Sequence, residues 1–106
     1  MVIPLTEVAS VIRSKNAGPY ELTLDVIFKE RAWFEKAVRS ELFNRPLMAR
    51  LYGIAEEDIL GIVPFEPANA IKVTIKRPLV SGAIGETDVY GAQQHAPLLG
   101  LMLDDA

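Results

Sequence analysis

Hydrophobic and polar positions alternate most cleanly between Tyr20 and Phe28. There Tyr20, Leu22, Leu24, Val26 and Phe28 interleave with Glu21, Thr23, Asp25, Ile27 and Lys29. Side chains two apart share one face of a strand, so this run predicts a strand with one face on the core. Ile27 is apolar on the polar side, which predicts partial cover for the second face. Upstream, Leu5, Val8, Ala9 and Ile12 recur at i, i+3, i+4 and i+7, the stripe of one helix face. With Thr6 as N-cap and Ala17-Gly18-Pro19 as a stop, a first helix is predicted from about residue 6 to residue 14.

Downstream of the strand the period lengthens. Trp33, Phe34, Ala37 and Val38 mark one side of a helix from Glu30 to about Glu41. A second helix is predicted from about Arg45 to Tyr52, with Pro46 in its first turn and Gly53 where a left-handed backbone is wanted. Ala55-Glu56-Glu57-Asp58 reads as a solvated turn. The apolar run Ile59 to Phe65 and the alternating Ile71, Val73 and Ile75 predict two strands, joined by the turn chemistry of Glu66-Pro67-Ala68-Asn69. They pair most simply as an antiparallel hairpin. Residues 81–88 read as loop, 89–96 as a short helical turn, and Leu98 to Leu103 as a last strand. The aromatic residues Trp33, Phe34, Phe43, Tyr52 and Phe65 fall at mostly interior positions. The resulting order, αβααββ(α)β, predicts an α+β fold: a two-layer, ferredoxin-like sandwich, mostly antiparallel, with helices on one face.

Half of the 106 residues are hydrophobic, and no linker or repeat divides them, so residues 1–106 form one expected domain. A chain of this length buries roughly two-thirds of its unfolded surface, enough for a core without staples. It has no cysteine, hence neither disulfide nor thiolate metal site, which fits a reducing compartment. The first residues lack a basic region and are interrupted by Pro4 and Glu7, unlike a secretion signal. No run approaches the ~20 apolar residues of a membrane span. A cytoplasmic location without membrane contact is the expectation. Net charge is −3, from 14 acidic and 11 basic residues, and the cations are scattered apart from Lys72, Lys76 and Arg77, which argues against nucleic acid as a partner.

Two polar segments carry candidate chemistry. In the first, Arg13 and Lys15 could clamp a carboxylate or phosphate while Ser14 and Asn16 donate hydrogen bonds. The plainer reading is two cations complementing a helix C-terminus that Gly18 caps. Asp25, in the middle of the clearest strand, either faces solvent or reaches Arg13 or Lys15 on the neighbouring segment. In the second, Glu86-Thr87-Asp88-Val89-Tyr90-Gly91-Ala92-Gln93-Gln94-His95 holds the chain's one histidine. His95 or Tyr90 could exchange protons, supported by Asp88, Gln93 and Gln94; the plain alternative is a surface histidine. No paired-histidine spacing supports a metal there. Gly82-Ala83-Ile84-Gly85 matches a nucleic-acid clamp in glycine spacing alone, since Glu86 and Asp88 follow it. Phosphate-loop and nucleophile-elbow motifs are absent, and no cofactor is implied.

The segments Val11–Asp25, Ile71–Thr74 and Asp88–Pro97 together resemble a small bacterial family of unknown function. Its genes lie beside those for AtuA-like (acyclic terpene utilisation) proteins. The chain is also similar to the C-terminal domain of the AtuA-like proteins, in which a helix ends in an Arg-Ser-x-x-x-Gly motif. Arg13, Ser14 and Gly18 match that motif, whereas Asn16 and Ala17 replace its usual Asp-Lys pair. The resemblance implies a ferredoxin-like fold and an AtuA-like large subunit as partner. It implies a two-component enzyme acting on a small carboxylic acid or acyl derivative, by addition or elimination of water. Arg13, Lys15 and Asn16 would then hold the anionic substrate, with His95 or Tyr90 at the shared boundary. The alternative is a homo-oligomeric binding module without chemistry of its own. An enzyme standing alone is disfavoured, because so small a domain leaves little room for a pocket of ~300 Å³ or more.

Overall fold

The computed structural model describes residues 2–18, 20–76 and 96–104. They form six strands and three helices: β1 (Val2–Pro4), α1 (Leu5–Val8), β2 (Ala9–Gly18), β3 (Glu21–Phe28), α2 (Arg31–Arg39), α3 (Arg45–Tyr52), β4 (Ile59–Phe65), β5 (Ala70–Lys76) and β6 (Met102–Asp104). Four strands make one sheet in the order β2-β3-β5-β4, every neighbour antiparallel, and β1 pairs antiparallel with β6 in a second, two-stranded sheet.

The first element differs most from the sequence expectation. The helix is a single turn, Leu5–Val8, with Pro4 rather than Thr6 at its N-cap, and residues 9–18 are a strand. The helical stripe was half real, since Leu5, Val8 and Ala9 are buried together. Beyond them, the β-branched pair Val11-Ile12 and a ladder to β3 running from Ala9↔Phe28 to Gly18↔Glu21 decide for extended chain. Gly18 therefore closes a hairpin instead of capping a helix.

Register assigns the two faces of the four-stranded sheet. Leu22, Leu24 and Val26 of β3 lie opposite Ile75, Val73 and Ile71 of β5, and all six are buried. Together with Phe28 they meet Phe34 and Ala37 of α2, Met48 of α3, Phe43, Leu5, Val8, Leu98 and Leu103 in one core. Phe28 and Phe34 meet edge to face, with ring centroids 6.5 Å apart. Leu5 donates its backbone N–H to the Leu101 carbonyl, which ties α1 to the chain before β6.

Phe65 departs from the interior position expected of it. It pairs with Ala70 on the sheet's other face and is half exposed. The α+β class and the antiparallel sheet agree with expectation. A ferredoxin-like sandwich places a helix between its first two strands, whereas here β2 joins β3 directly as a hairpin and both longer helices lie between β3 and β4. Among the described residues, no helix is long and apolar enough to cross a membrane.

The helix ends have identifiable chemistry. Asn44 caps α3 by accepting from the Leu47 N–H at 2.9 Å, and Gly53 ends it at φ 64°, as predicted. The end of α2 is less usual. Leu42 N–H reaches the Ala37 carbonyl and Glu41 N–H reaches that of Val38, the paired bonds of a Schellman motif. Glu41 occupies its left-handed position at φ 53°, where glycine is the ordinary choice. A left-handed L-residue costs ~1–2 kcal/mol, and glycine returns ~0.5–1 of that through its greater freedom unfolded. Glu41→Gly is therefore expected to stabilise the fold by about 0.5–1 kcal/mol, read as a higher denaturation midpoint.

Candidate functional site

Strand alternation separates the four residues of the Arg13 segment. Ser14 and Asn16 lie opposite Leu24 and Leu22, on the core side of β2, and Ser14 is buried there. Arg13 and Lys15 lie opposite Asp25 and Thr23, on the outer face. The structure thus brings Arg13, Lys15 and Asp25 to one surface and keeps Ser14 and Asn16 off it. The helix-end reading of the two cations lapses, because residues 9–18 are a strand and no helix ends there.

Asp25 reaches across to Arg13, one of its two expected alternatives. The Arg13 Nε donates to Asp25 Oδ2 at 3.1 Å. Asp25 is only 2% exposed, whereas Arg13 is 56% exposed, so the carboxylate is the dry end of the pair. Its second oxygen, Oδ1, is buried without a hydrogen-bond partner among the described residues. On the other side of Asp25, β5 places Lys72 directly opposite, and Lys76 lies opposite Glu21. Arg13, Lys15, Lys72 and Lys76 therefore share the outer face with one buried and one exposed carboxylate, Asp25 and Glu21. In a chain of net charge −3 this face is locally basic. Val63 and Phe65 of β4 border it, 57% and 50% exposed.

Lys72 and Lys76 were not singled out as site residues, although both alternate with core positions in a predicted strand. That signal shows they are wet, not that β5 lies beside β3. His95, Tyr90, Asp88, Gln93 and Gln94 lie outside the described residues, as do the Gly82–Gly85 glycines. Among the described residues, no group of three or more histidines and carboxylates is placed to hold a metal ion.

The pattern of a domain of unknown function (DUF4387) matches residues 5–102. The chain belongs to this family. The DUF4387 match runs from α1 to the first residue of β6, so it takes in the whole four-stranded sheet and its basic face. It carries no link to AtuA-like proteins. No curated protein and no solved structure matches the chain.

One titratable group near the core is strongly displaced. Burial at the end of α3 pushes the Tyr52 phenol well above its ordinary value, because the phenolate would lose hydration. The neutral form is the one the fold favours. Its stabilisation is complete below the unfolded value, about pH 10, and is lost as pH rises above that. Tyr52 is partly exposed, so the loss should stay below ~1.4 kcal/mol per pH unit. Tyr52→Phe should flatten the alkaline limb of a stability-against-pH curve.

Proposed function

We propose that this chain is the small subunit of a two-component AtuA-like enzyme, and that its basic sheet face meets the anionic group of a small carboxylic acid or acyl substrate. The observation that carries the reading is the cross-strand row Arg13–Asp25–Lys72, with Lys15 and Lys76 on the same face. Asp25 engages Arg13 through Nε, and in this reading the terminal guanidinium nitrogens meet the anionic ligand or a partner surface. An open sheet face can position an anion but does not enclose it, so a larger partner supplies the rest of the pocket. The reaction assigned is addition or elimination of water, with His95 or Tyr90 exchanging the proton at the subunit boundary.

The test is reconstitution with an AtuA-like protein. A stable complex of fixed ratio is expected, turning over carboxylate or acyl substrates only when both chains are present. Lys15→Ala and Lys72→Ala remove exposed cations, and each should raise KM while the complex still forms. No complex, or unchanged kinetics in both variants, would sink the reading. A second reading, the homo-oligomeric module, draws on Val2 and Met102, exposed on the same side of the β1–β6 sheet, with Leu99 exposed nearby. Sedimentation of the chain alone separates the two: a dimer or larger species that binds no AtuA-like protein favours the module.

A further inference from the structure

On the opposite side of the sheet, α2 leaves the edge strand β4 incompletely covered. An open cavity of about 300 Å³ lies between Ala37, Val38, Glu41, Phe43, Ile62 and Pro64. A second, of about 270 Å³, shares Val38 and Pro64 and extends toward Phe34, Glu35, Arg39 and Glu66. Together they read as one groove with an apolar floor. Three carboxylates and one guanidinium line it, so its charge is acidic, opposite in sign to the basic face beyond the sheet.

We propose that this groove docks an amphipathic helix of a partner protein, apolar along its inner stripe and basic along its flanks. An apolar floor accepts anchors spaced at i, i+3, i+4 and i+7, the usual helix-in-groove mode. The acidic rim selects a basic helix, disfavours an acidic one and repels small anions. Glu41 supplies an independent argument. It holds a left-handed position that glycine would fill at lower cost, and its carboxylate has no hydrogen-bond or ion-pair partner among the described residues. A side chain kept at a strained position, lining a groove, is where strain is retained for binding. The proposal does not depend on the two-subunit reading, since it concerns a different face and an occupant of opposite charge.

The experiment is an NMR titration of the full chain with a Leu/Lys amphipathic peptide of about four helical turns, beside the same peptide with Glu in place of Lys. The Lys peptide should shift the amides of Val38, Glu41, Ile62 and Glu66, more strongly at low salt, and the Glu peptide should not. Glu41→Gly should raise Tm yet weaken binding roughly two- to fivefold, and Glu41→Gly with Glu66→Gln should weaken it further. Opposite signs for stability and affinity separate a binding role from a structural one. Glu56→Gln with Glu57→Gln, acidic but away from the groove, should bind as the parent does. Equal shifts from both peptides, no shifts from the Lys peptide, shifts confined to another face, or unchanged affinity in the Glu41/Glu66 variant would overturn the proposal.

Discussion

Arg13→Ala is expected to cost the fold about 2 kcal/mol, although Arg13 is the exposed member of its pair. The substitution leaves Asp25 buried with neither oxygen hydrogen-bonded among the described residues, since Oδ1 already lacks a partner there. An unpaired buried carboxylate carries its full desolvation cost, and breaking a fully buried pair costs ~3–5 kcal/mol. The lower figure applies because removing the Arg13 stem also lets water approach the carboxylate. Asp25→Val should be much milder, below ~1 kcal/mol, because it removes the desolvated charge and leaves Arg13 free in solvent. It also places a β-branched residue in a central strand. Urea denaturation of the two variants checks this asymmetry. Equal losses would mean that the attraction between the charges, rather than the isolation of Asp25, dominates the site.

The elements legible in the sequence were those whose two faces differ. β3 and β5 carry apolar residues on the core side and polar ones outside, so alternation located them. α2 showed the longer period, and Pro46 and Gly53 bracketed α3, whose Asn44 cap came to light in the structure. β2 was hidden because its core side carries Ser14 and Asn16 while its outer side carries Val11, which cancels the alternation beyond Ile12. A helical stripe through Leu5, Val8 and Ala9 then extended plausibly, but wrongly, to residue 14. β1 and β6 have three residues each, too few for any period. Phe65 ends a continuous apolar run, and such a run places a strand without saying which residue faces inward. The contact between Arg13 and Asp25 was open as one of two alternatives. Lys72 could not join them without the strand order, because which hairpin edge lies beside β3 is decided by packing rather than local pattern.

The largest single loss is expected at Leu24. Leu24→Ala should destabilise the protein by about 3 kcal/mol, a large share of the ~5–15 kcal/mol typical of a domain. Leu24 is fully buried in β3, with β2 and β5 on either side, between Ser14 and Val73. Both flanking strands are held by ladders, so the sheet cannot easily close on the vacated volume, and a cavity persists. Leu60→Ala supplies the contrast, because Leu60 lies on the edge strand β4 and is nearly half exposed. Its loss should stay within ~0.5 kcal/mol. Thermal and urea denaturation of both variants would measure the difference. Leu24 and Asp25 are adjacent and point to opposite faces. If Leu24→Ala cost no more than Leu60→Ala, the β3–β5 side holding Leu24 would not be the packed one. The assignment of Asp25, Arg13 and Lys72 to a shared outer face would fall with it.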